Sequence, residues 1–281
     1  MPVKSVQSAR RKMVLPYLIW AMVFIVIPIV LVIYYSFRAE QNGQTVFSWM
    51  NYRRAFEPIY IRVMGRSVRV ALISTFICLL TGYPVAYIMA SKEYVSKSFL
   101  LFLFLVPMWM NFLLRTYSWL TILENNGLIN SLLAFWGIRK INLLYNNGAV
   151  TLGMVYNFLP FMILPIYTVL KKMDQSFIEA AQDLGADSKI TFLRLILPLS
   201  FPGVISGVTM VFMPAVTTFI ISDLLGGAQY MLIGNLIEHQ FLRVNDWYFG
   251  SAVSVILMAL ILISVAIFSL ADKDSEGGAL F

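Results

Sequence analysis

The chain has 281 residues, of which 59% are hydrophobic and only 12% are charged, and its mean hydropathy is +0.78. This balance excludes an ordinary soluble domain and is typical of a protein that spans a membrane. The net charge of +7 is spread over both sides of the apolar stretches. We therefore expect the basic residues to contact headgroups of the lipid bilayer, and we expect no nucleic-acid partner.

Apolar stretches between charged residues predict about six transmembrane helices in a single transmembrane domain that covers residues 1–281. Most of the stretches reach the ~20 residues needed to cross ~30 Å of hydrocarbon, so we expect an all-α, polytopic fold. They lie roughly at 13–37, 66–91, 98–121, 144–170, 199–222 and 247–271.

Small residues and prolines inside the stretches indicate how the helices pack. Gly203 and Gly207 are spaced to form a face on which another helix can pack closely. Prolines within the spans indicate bent helices, either around a path for a solute or in a tightly packed bundle. These prolines are Pro28, Pro84, Pro107, Pro160, Pro165 and Pro214.

Basic residues before the first span predict the orientation. Positive charge favours the cytoplasmic side, so we expect a cytoplasmic N-terminus and, with six spans, a cytoplasmic C-terminus. The loop 171–198, with Ser188, is then inside, and the loop with Gln229 is outside. The basic residues concerned are Lys4, Arg10, Arg11 and Lys12.

The sequence has few of the residues and motifs that catalytic sites need. The chain has one cysteine, Cys78, which we expect to be a buried packing residue, and one histidine, His239. There is no nucleotide-binding G-x-x-x-x-G-K-[ST] loop and no pair of intramembrane carboxylates. We expect no metal site and no cofactor. If the protein moves a solute uphill, the energy must enter through another subunit. A membrane enzyme and a self-sufficient channel or secondary carrier are the alternatives to such a subunit.

The segment after the fourth span has the signals of two short helices. Ser176 and Glu179 match a capping box, which predicts a helix start at Ser176. Gly185 occupies the position of a left-handed residue that ends a helix. Asp187 or Ser188 is suited to cap a second helix, which we expect to run to Pro198. The first helix should carry an apolar stripe formed by Phe177, Ala180, Ala181 and Leu184.

The run "EAAQDLGADSKITFLRLILP" within this segment resembles the EAA loop of ABC-importer permeases, E-A-A-x₃-G-x₉-I-x-L-P, with Leu195 in place of the usual isoleucine. The resemblance implies the MetI-like type I importer fold. It also implies that loop 171–198 carries a cytoplasmic coupling helix, which fits a cleft of an ATPase subunit. The coupling residues it implies are Glu179, Ala180, Ala181, Asp183 and Gly185.

Three further stretches are similar to permeases of the spermidine/putrescine branch of that family: "FSWMNYRRAFEPIY", "LLFLFLVPMWMNFLLRTYSWL" and "SDLLGGAQYMLIGNLIEHQFLRVNDWYFGSA". This resemblance implies a bacterial inner-membrane importer of polyamines that works by alternating access. The partners it implies are a second homologous permease, two copies of an ATPase and an external solute-binding protein. Another small solute, such as an iron complex, an amino acid derivative or an oxyanion, is the alternative cargo.

Asp223 at the outer end of the fifth span is the candidate contact for a polycation, because one carboxylate near hydroxyls and aromatic rings attracts a cation without trapping it. Its alternative meaning is that it only marks the end of the span. The other candidate pathway residues are Thr217, Thr218 and Phe219 of the fifth span and Tyr156 and Asn157 of the fourth.

Overall fold

The computed structural model describes residues 14–41, 43–91, 97–227 and 230–278. The N-terminal basic residues Lys4, Arg10, Arg11 and Lys12, as well as Gln229, lie outside this part of the chain. Two strands form one antiparallel hairpin, β1 Arg38–Gln41 and β2 Gln44–Phe47. The helices are α1 Val14–Ser36, α2 Met50–Ala55, α3 Pro58–Ala90, α4 Lys97–Trp109, α5 Phe112–Leu123, α6 Leu128–Phe135, α7 Asn147–Lys172, α8 Gln175–Asp183, α9 Ser188–Leu199, α10 Phe201–Thr217, α11 Ile220–Gly226, α12 Ile233–His239 and α13 Trp247–Gly278.

Four of the described helices are long and apolar enough to cross a membrane: α1, α3, α7 and the part Trp247–Leu270 of α13. Helices α9 and α10 form a fifth candidate if the pair, which is bent by 59°, counts as one span. This number is lower than the six spans expected. The difference lies in the stretch 98–121.

The predicted third span is not one uninterrupted helix. Helix α4 ends at Trp109, and α5 begins after Asn111, whose side-chain oxygen accepts the Leu113 N–H at 2.8 Å. Asparagine competes for backbone hydrogen bonds and is favoured at a helix start, so it divides an otherwise apolar stretch. The predicted fifth span, 199–222, is also divided, between α10 and α11, but without a capping side chain at the start of α11.

The described residues form two compact units. One unit contains the chain up to Ile61 together with Leu236–Ala259, and it includes the β hairpin, which was not expected from the sequence. In this unit Arg54 makes an ion pair with Asp246 at 2.8 Å, and its guanidinium lies 4.1 Å from the centre of the Phe249 ring. The unit therefore has its own polar and aromatic contacts.

The second unit, Arg62–Asn235 with the chain from Leu260 on, contains the candidate functional residues. Its helix α10 packs closely on α7. A Cβ atom at Gly203 would lie 3.1 Å from the Cα of Ile166, and one at Gly207 would lie 3.1 Å from the carbonyl oxygen of Met162. The packing role predicted for these two glycines is confirmed. Cys78 is fully buried on α3, as expected for a packing residue.

Candidate functional site

Helix α8, which carries the EAA motif, is capped two residues earlier than predicted. Asp174 is the N-cap, and its carboxylate accepts the Ser176 N–H at 3.0 Å. The predicted capping box of Ser176 and Glu179 is wrong, because aspartate is as good a cap as serine and stands in the extended conformation that a cap needs. The backbone N–H and then the hydroxyl of Ser176 lower the pKa of Asp174.

The other end of α8 forms as predicted. Gly185 has φ = +82°, its N–H donates to the Gln182 carbonyl at 2.9 Å, and the Ala186 N–H donates to the Ala181 carbonyl at 3.0 Å. This pattern is the Schellman motif, in which a left-handed residue closes the helix. Asp187 then caps α9 by accepting the Ile190 N–H at 2.7 Å. The turn between the two helices is therefore fixed from both sides.

The coupling hairpin, which we define as residues 174–199, presents an exposed face. No residue of α8 is buried, and Phe177 and Leu184 are 55% and 89% exposed. Glu179 is exposed, and its side chain makes no hydrogen bond within the described residues. An apolar stripe on a short, well-capped helix is suited to contact another protein. The other coupling candidates on this helix are Ala180, Ala181 and Asp183, of which Ala181 is half-buried.

At its base, the coupling hairpin contacts α3. The Phe192 ring of α9 lies edge-on to the rings of Tyr83 and Tyr87, at 5.9 and 5.3 Å between centres. The hydroxyl groups of Tyr83 and Ser200 are 2.8 Å apart. Ser200 stands between α9 and α10 and is fully buried. Sequence reasoning missed this contact because the two hydroxyls are far apart along the chain.

A break in the helix follows at the other end of α10. The helix ends at Thr217, Thr218 is extended with ψ = 137°, and its N–H donates to the Pro214 carbonyl at 2.9 Å. The helical path resumes at Ile220 as α11. Gly234 passes so close that a Cβ atom there would collide with the carbonyl oxygen of Thr217. The break is therefore shaped by a segment that comes later in the chain.

Asn235 holds this break in place. Its amide nitrogen donates to the Phe219 carbonyl at 2.9 Å. Its amide oxygen accepts the Ser222 hydroxyl at 2.5 Å and the Leu232 N–H at 3.1 Å. Asn235 is only 7% exposed, so these hydrogen bonds do not compete with bulk water.

Four of the six candidate pathway residues come together at the break. Thr217, Thr218 and Phe219 are its consecutive residues, and Asp223 is exposed in the first turn of α11. The Phe219 side chain is 39% exposed. The Thr217 hydroxyl donates to the Met213 carbonyl at 3.1 Å within its own helix. The exposed groups near the break are thus one carboxylate and one aromatic ring.

The two candidates on α7 lie in different surroundings. The Tyr156 ring packs edge-on against Trp119 at 5.3 Å between centres. Asn157 is 1% exposed and donates to the Gly153 carbonyl at 2.9 Å, and its side-chain oxygen has no partner among the described residues. Asn157 is enclosed in this structure and does not line an open cavity.

Two further polar residues in unexpected places were missed. Asn235 interrupts the apolar run "MLIGNLI", and this interruption was a signal that could have been used. Arg115 on α5 is 8% exposed, and its Nε and Nη1 atoms have no hydrogen-bond partner within the described residues. An arginine inside an apolar stretch is expensive to bury, so its presence was also a usable signal.

Comparison with known proteins agrees with these features. Residues 82–274 match the family described as "Binding-protein-dependent transport system inner membrane component". The chain is 40% identical over 252 residues to the "Spermidine/putrescine transport system permease protein PotB" of Escherichia coli (strain K12). The aligned residues cover 87% of this chain and 92% of that protein. It is also 40% identical over 260 residues to the Haemophilus influenzae protein of the same name, covering 90% and 91%.

Solved structures show the same fold at low sequence identity. A bacterial ABC transporter "involved in the import of the acidic polysaccharide alginate" superimposes with a TM-score of 0.81 over 96% of both chains, at 15% identity. An amino acid ABC transporter superimposes with a TM-score of 0.54 over 82% of this chain and 99% of that chain, at 14% identity. The expected fold is confirmed. The chain belongs to the family of binding-protein-dependent transport system inner membrane components, and it is a multi-pass permease subunit of an ABC importer.

Proposed function

We propose that the cargo of this permease is a polyamine, spermidine or putrescine, delivered by an external solute-binding protein and translocated by alternating access. The observation that carries this proposal is the 40% identity, over 87% of the chain, to a spermidine/putrescine permease. The likeness to the alginate importer supports the fold alone, since one fold serves many cargoes.

In the proposed assembly the chain pairs with a second homologous permease, and two copies of an ATPase bind on the cytoplasmic side. The coupling hairpin supports this arrangement, because α8 has no buried residue and its apolar stripe is open to a partner. The coupling residues in this proposal are Glu179, Ala180, Ala181, Asp183 and Gly185. One hairpin on each permease then contacts one ATPase. No P-loop is present in this sequence, so nucleotide binding belongs to the partner.

The pathway for the cargo in this proposal passes the break between α10 and α11. Asp223 attracts the polycation there, and the exposed ring of Phe219 adds a cation–π contact. Thr217 ends α10 and Thr218 is the extended residue of the break, directly before Phe219. Tyr156 and Asn157 of α7 line the pathway only if α7 and α11 separate during transport.

Uptake by the reconstituted importer tests the cargo. The permease and its co-expressed partner subunits are reconstituted into proteoliposomes. ATP is enclosed in the lumen, where it reaches the ATPase, and the binding protein is added outside. We expect ATP-dependent accumulation of labelled spermidine that unlabelled putrescine reduces. Accumulation of an iron complex, an amino acid derivative or an oxyanion in its place would assign a different cargo to the same permease.

The proposal also includes cytoplasmic N- and C-termini. Single cysteines at Ser188 in the coupling hairpin and Ser131 on α6 test the orientation in a Cys78→Ala background, since both serines are exposed. An impermeant thiol reagent applied to intact cells should label position 131 and not position 188. The reverse pattern of labelling would show that the orientation is opposite to the one proposed.

A further inference from the structure

The coupling hairpin has few attachments to the rest of its unit. Helix α8 has no buried residue, and on α9 the buried residues are Thr191 and Ile196. The Phe192 ring of the hairpin packs on Tyr83 and Tyr87 of α3, and Ser200, the residue that follows the hairpin, is hydrogen-bonded to Tyr83. A displacement applied to α8 therefore has a route to α3 through these side chains.

The hydrogen bond at Ser200 has a defined direction. The Ser200 hydroxyl donates to the Leu197 carbonyl at 2.9 Å. A hydroxyl has a single proton to donate, so the Tyr83 hydroxyl is the donor to Ser200 at 2.8 Å. This chain of two bonds lies at the 59° bend between α9 and α10, where Ser200 is fully buried. Tyr83 thus ties α3 to the point where the hairpin meets the bundle.

Helix α3 reaches from this joint to the break near the candidate pathway. Next to Tyr83, Gly82 packs on α7, where a Cβ atom would lie 3.1 Å from Cγ of Met162. Toward the other end of α3, the Ser67 hydroxyl accepts the Ile233 N–H at 2.7 Å. Ser67 and Tyr83 are separated by about 24 Å along the helix, at 1.5 Å per residue.

Ile233 begins α12, which also contains Asn235. Asn235 in turn holds the Phe219 carbonyl at the break. A continuous set of hydrogen bonds and one helix therefore connects the base of the coupling hairpin with the broken helix. Both ends are buried, where a lost hydrogen bond is not replaced by water.

We infer that Tyr83 is a positioning residue that couples movement of the hairpin to the break between α10 and α11, through α3 and Ser67. The inference rests on the proposed function, because it gives the docked ATPase a route to the cargo pathway. Tyr83 touches neither the ATPase nor the cargo in this account. The hydrogen bond from its hydroxyl to Ser200 makes α3 move together with the hairpin.

The test compares Tyr83→Phe with Tyr87→Phe in the complete importer in proteoliposomes. Both variants keep a ring against Phe192, but only Tyr83→Phe loses the hydrogen bond to Ser200. Three quantities are measured: co-purification with the ATPase, ATP hydrolysis stimulated by loaded binding protein, and cargo taken up per ATP hydrolysed.

We expect Tyr83→Phe to assemble and to hydrolyse ATP, while uptake per ATP falls about fivefold, which corresponds to the loss of one hydrogen bond. Tyr87→Phe should keep the wild-type ratio. The double variant Tyr83→Phe/Ser200→Ala should be no worse than Ser200→Ala alone, because both changes remove the same bond.

Equal uptake per ATP in the two tyrosine variants overturns the inference. A double variant whose loss is the product of the two single losses overturns it as well. A wild-type complex whose ATPase does not respond to loaded binding protein refutes the proposed function itself. A responsive wild type with an unaffected Tyr83→Phe variant refutes only the role of Tyr83.

Discussion

The coupling hairpin and the break between α10 and α11 both interrupt a helical path, but they are held in different ways. The hairpin is fixed by bonds between near neighbours, such as Asp187 to the Ile190 N–H and Ala186 to the Ala181 carbonyl. The break is fixed by Asn235 and, through α12, by Ser67 on α3. The exposed hairpin therefore keeps its shape through local bonds, whereas the break depends on contacts with segments that are distant along the chain.

Exposure explains this difference. No side chain of α8 is buried, so the shape of this helix must come from its caps and the glycine turn. Around the break, polar groups are buried, and each one needs a partner from another segment. Disturbing the hairpin should therefore change coupling, and disturbing the break should change stability and transport together.

The largest effect is expected from Asn235→Ala. The change takes the acceptor from the Leu232 N–H and the amide donor from the Phe219 carbonyl, and we expect a loss of about 2–4 kcal/mol in stability. Thermal unfolding of the purified complex measures this loss, and uptake should fall with it. Asn126→Ala, which removes an exposed bond to Lys140, is the control and should cost less than about 0.5 kcal/mol. An equal loss of stability in the two variants would mean that the buried hydrogen bonds of Asn235 support the fold no more than an exposed one.

A large effect on transport, without an effect on stability, is expected from Asp223→Asn. The carboxylate is exposed, so its loss should leave the fold intact. Loss of a charge-assisted contact with a polyamine should lower apparent affinity or rate about ten- to a hundred-fold, or ~1.5–3 kcal/mol. Uptake of labelled spermidine at matched expression is the measurement. Glu124→Gln, at another exposed acid, should transport like the wild type. Unchanged uptake in Asp223→Asn would show that this residue only marks the start of α11.

A smaller effect is expected from Gly185→Val at the hairpin turn. A Cβ atom at Gly185 has nothing within 4 Å, so the cost arises from φ = +82° and not from a clash. We expect a local penalty of about 1–2 kcal/mol and a reduced uptake per ATP. Gly185→Asn is the control, since asparagine tolerates the left-handed conformation. A similar loss of uptake per ATP in both variants would mean that any added side chain, and not the backbone conformation of the turn, causes the loss.

The smallest effect is expected from Asp174→Ala at the start of α8. Hydrogen exchange of the first-turn amides should become faster, while Asp174→Asn, which keeps the cap, should change it little. The pKa of Asp174 is lowered in the folded protein, so its contribution is present above the usual aspartate range and is lost as the pH falls through the lowered pKa. Wild type and Asp174→Ala should therefore become alike at acidic pH. A difference that persists there would assign the cap to another group.

Local patterns in the sequence were sufficient for the membrane class, the main apolar helices, the family and the glycine turn of the coupling hairpin. Gly185 could be placed because its role depends on its own φ and on neighbours within four residues. The start of α8 was placed at Ser176 in error, since Asp174 offers an equally good cap two residues earlier. Several capping residues in a row make a helix start ambiguous.

Tertiary structure alone decided where the stretch 199–222 breaks and what supports that break. The stretch 199–222 has the composition of one span, yet Asn235 stabilises an interruption at Thr218, and Gly234 lets its segment approach closely there. The same holds for the joint between Tyr83 and Ser200, since hydropathy cannot show which two distant hydroxyls will meet. In an apolar bundle, the few polar groups find partners by packing, and those partners are set by the fold as a whole.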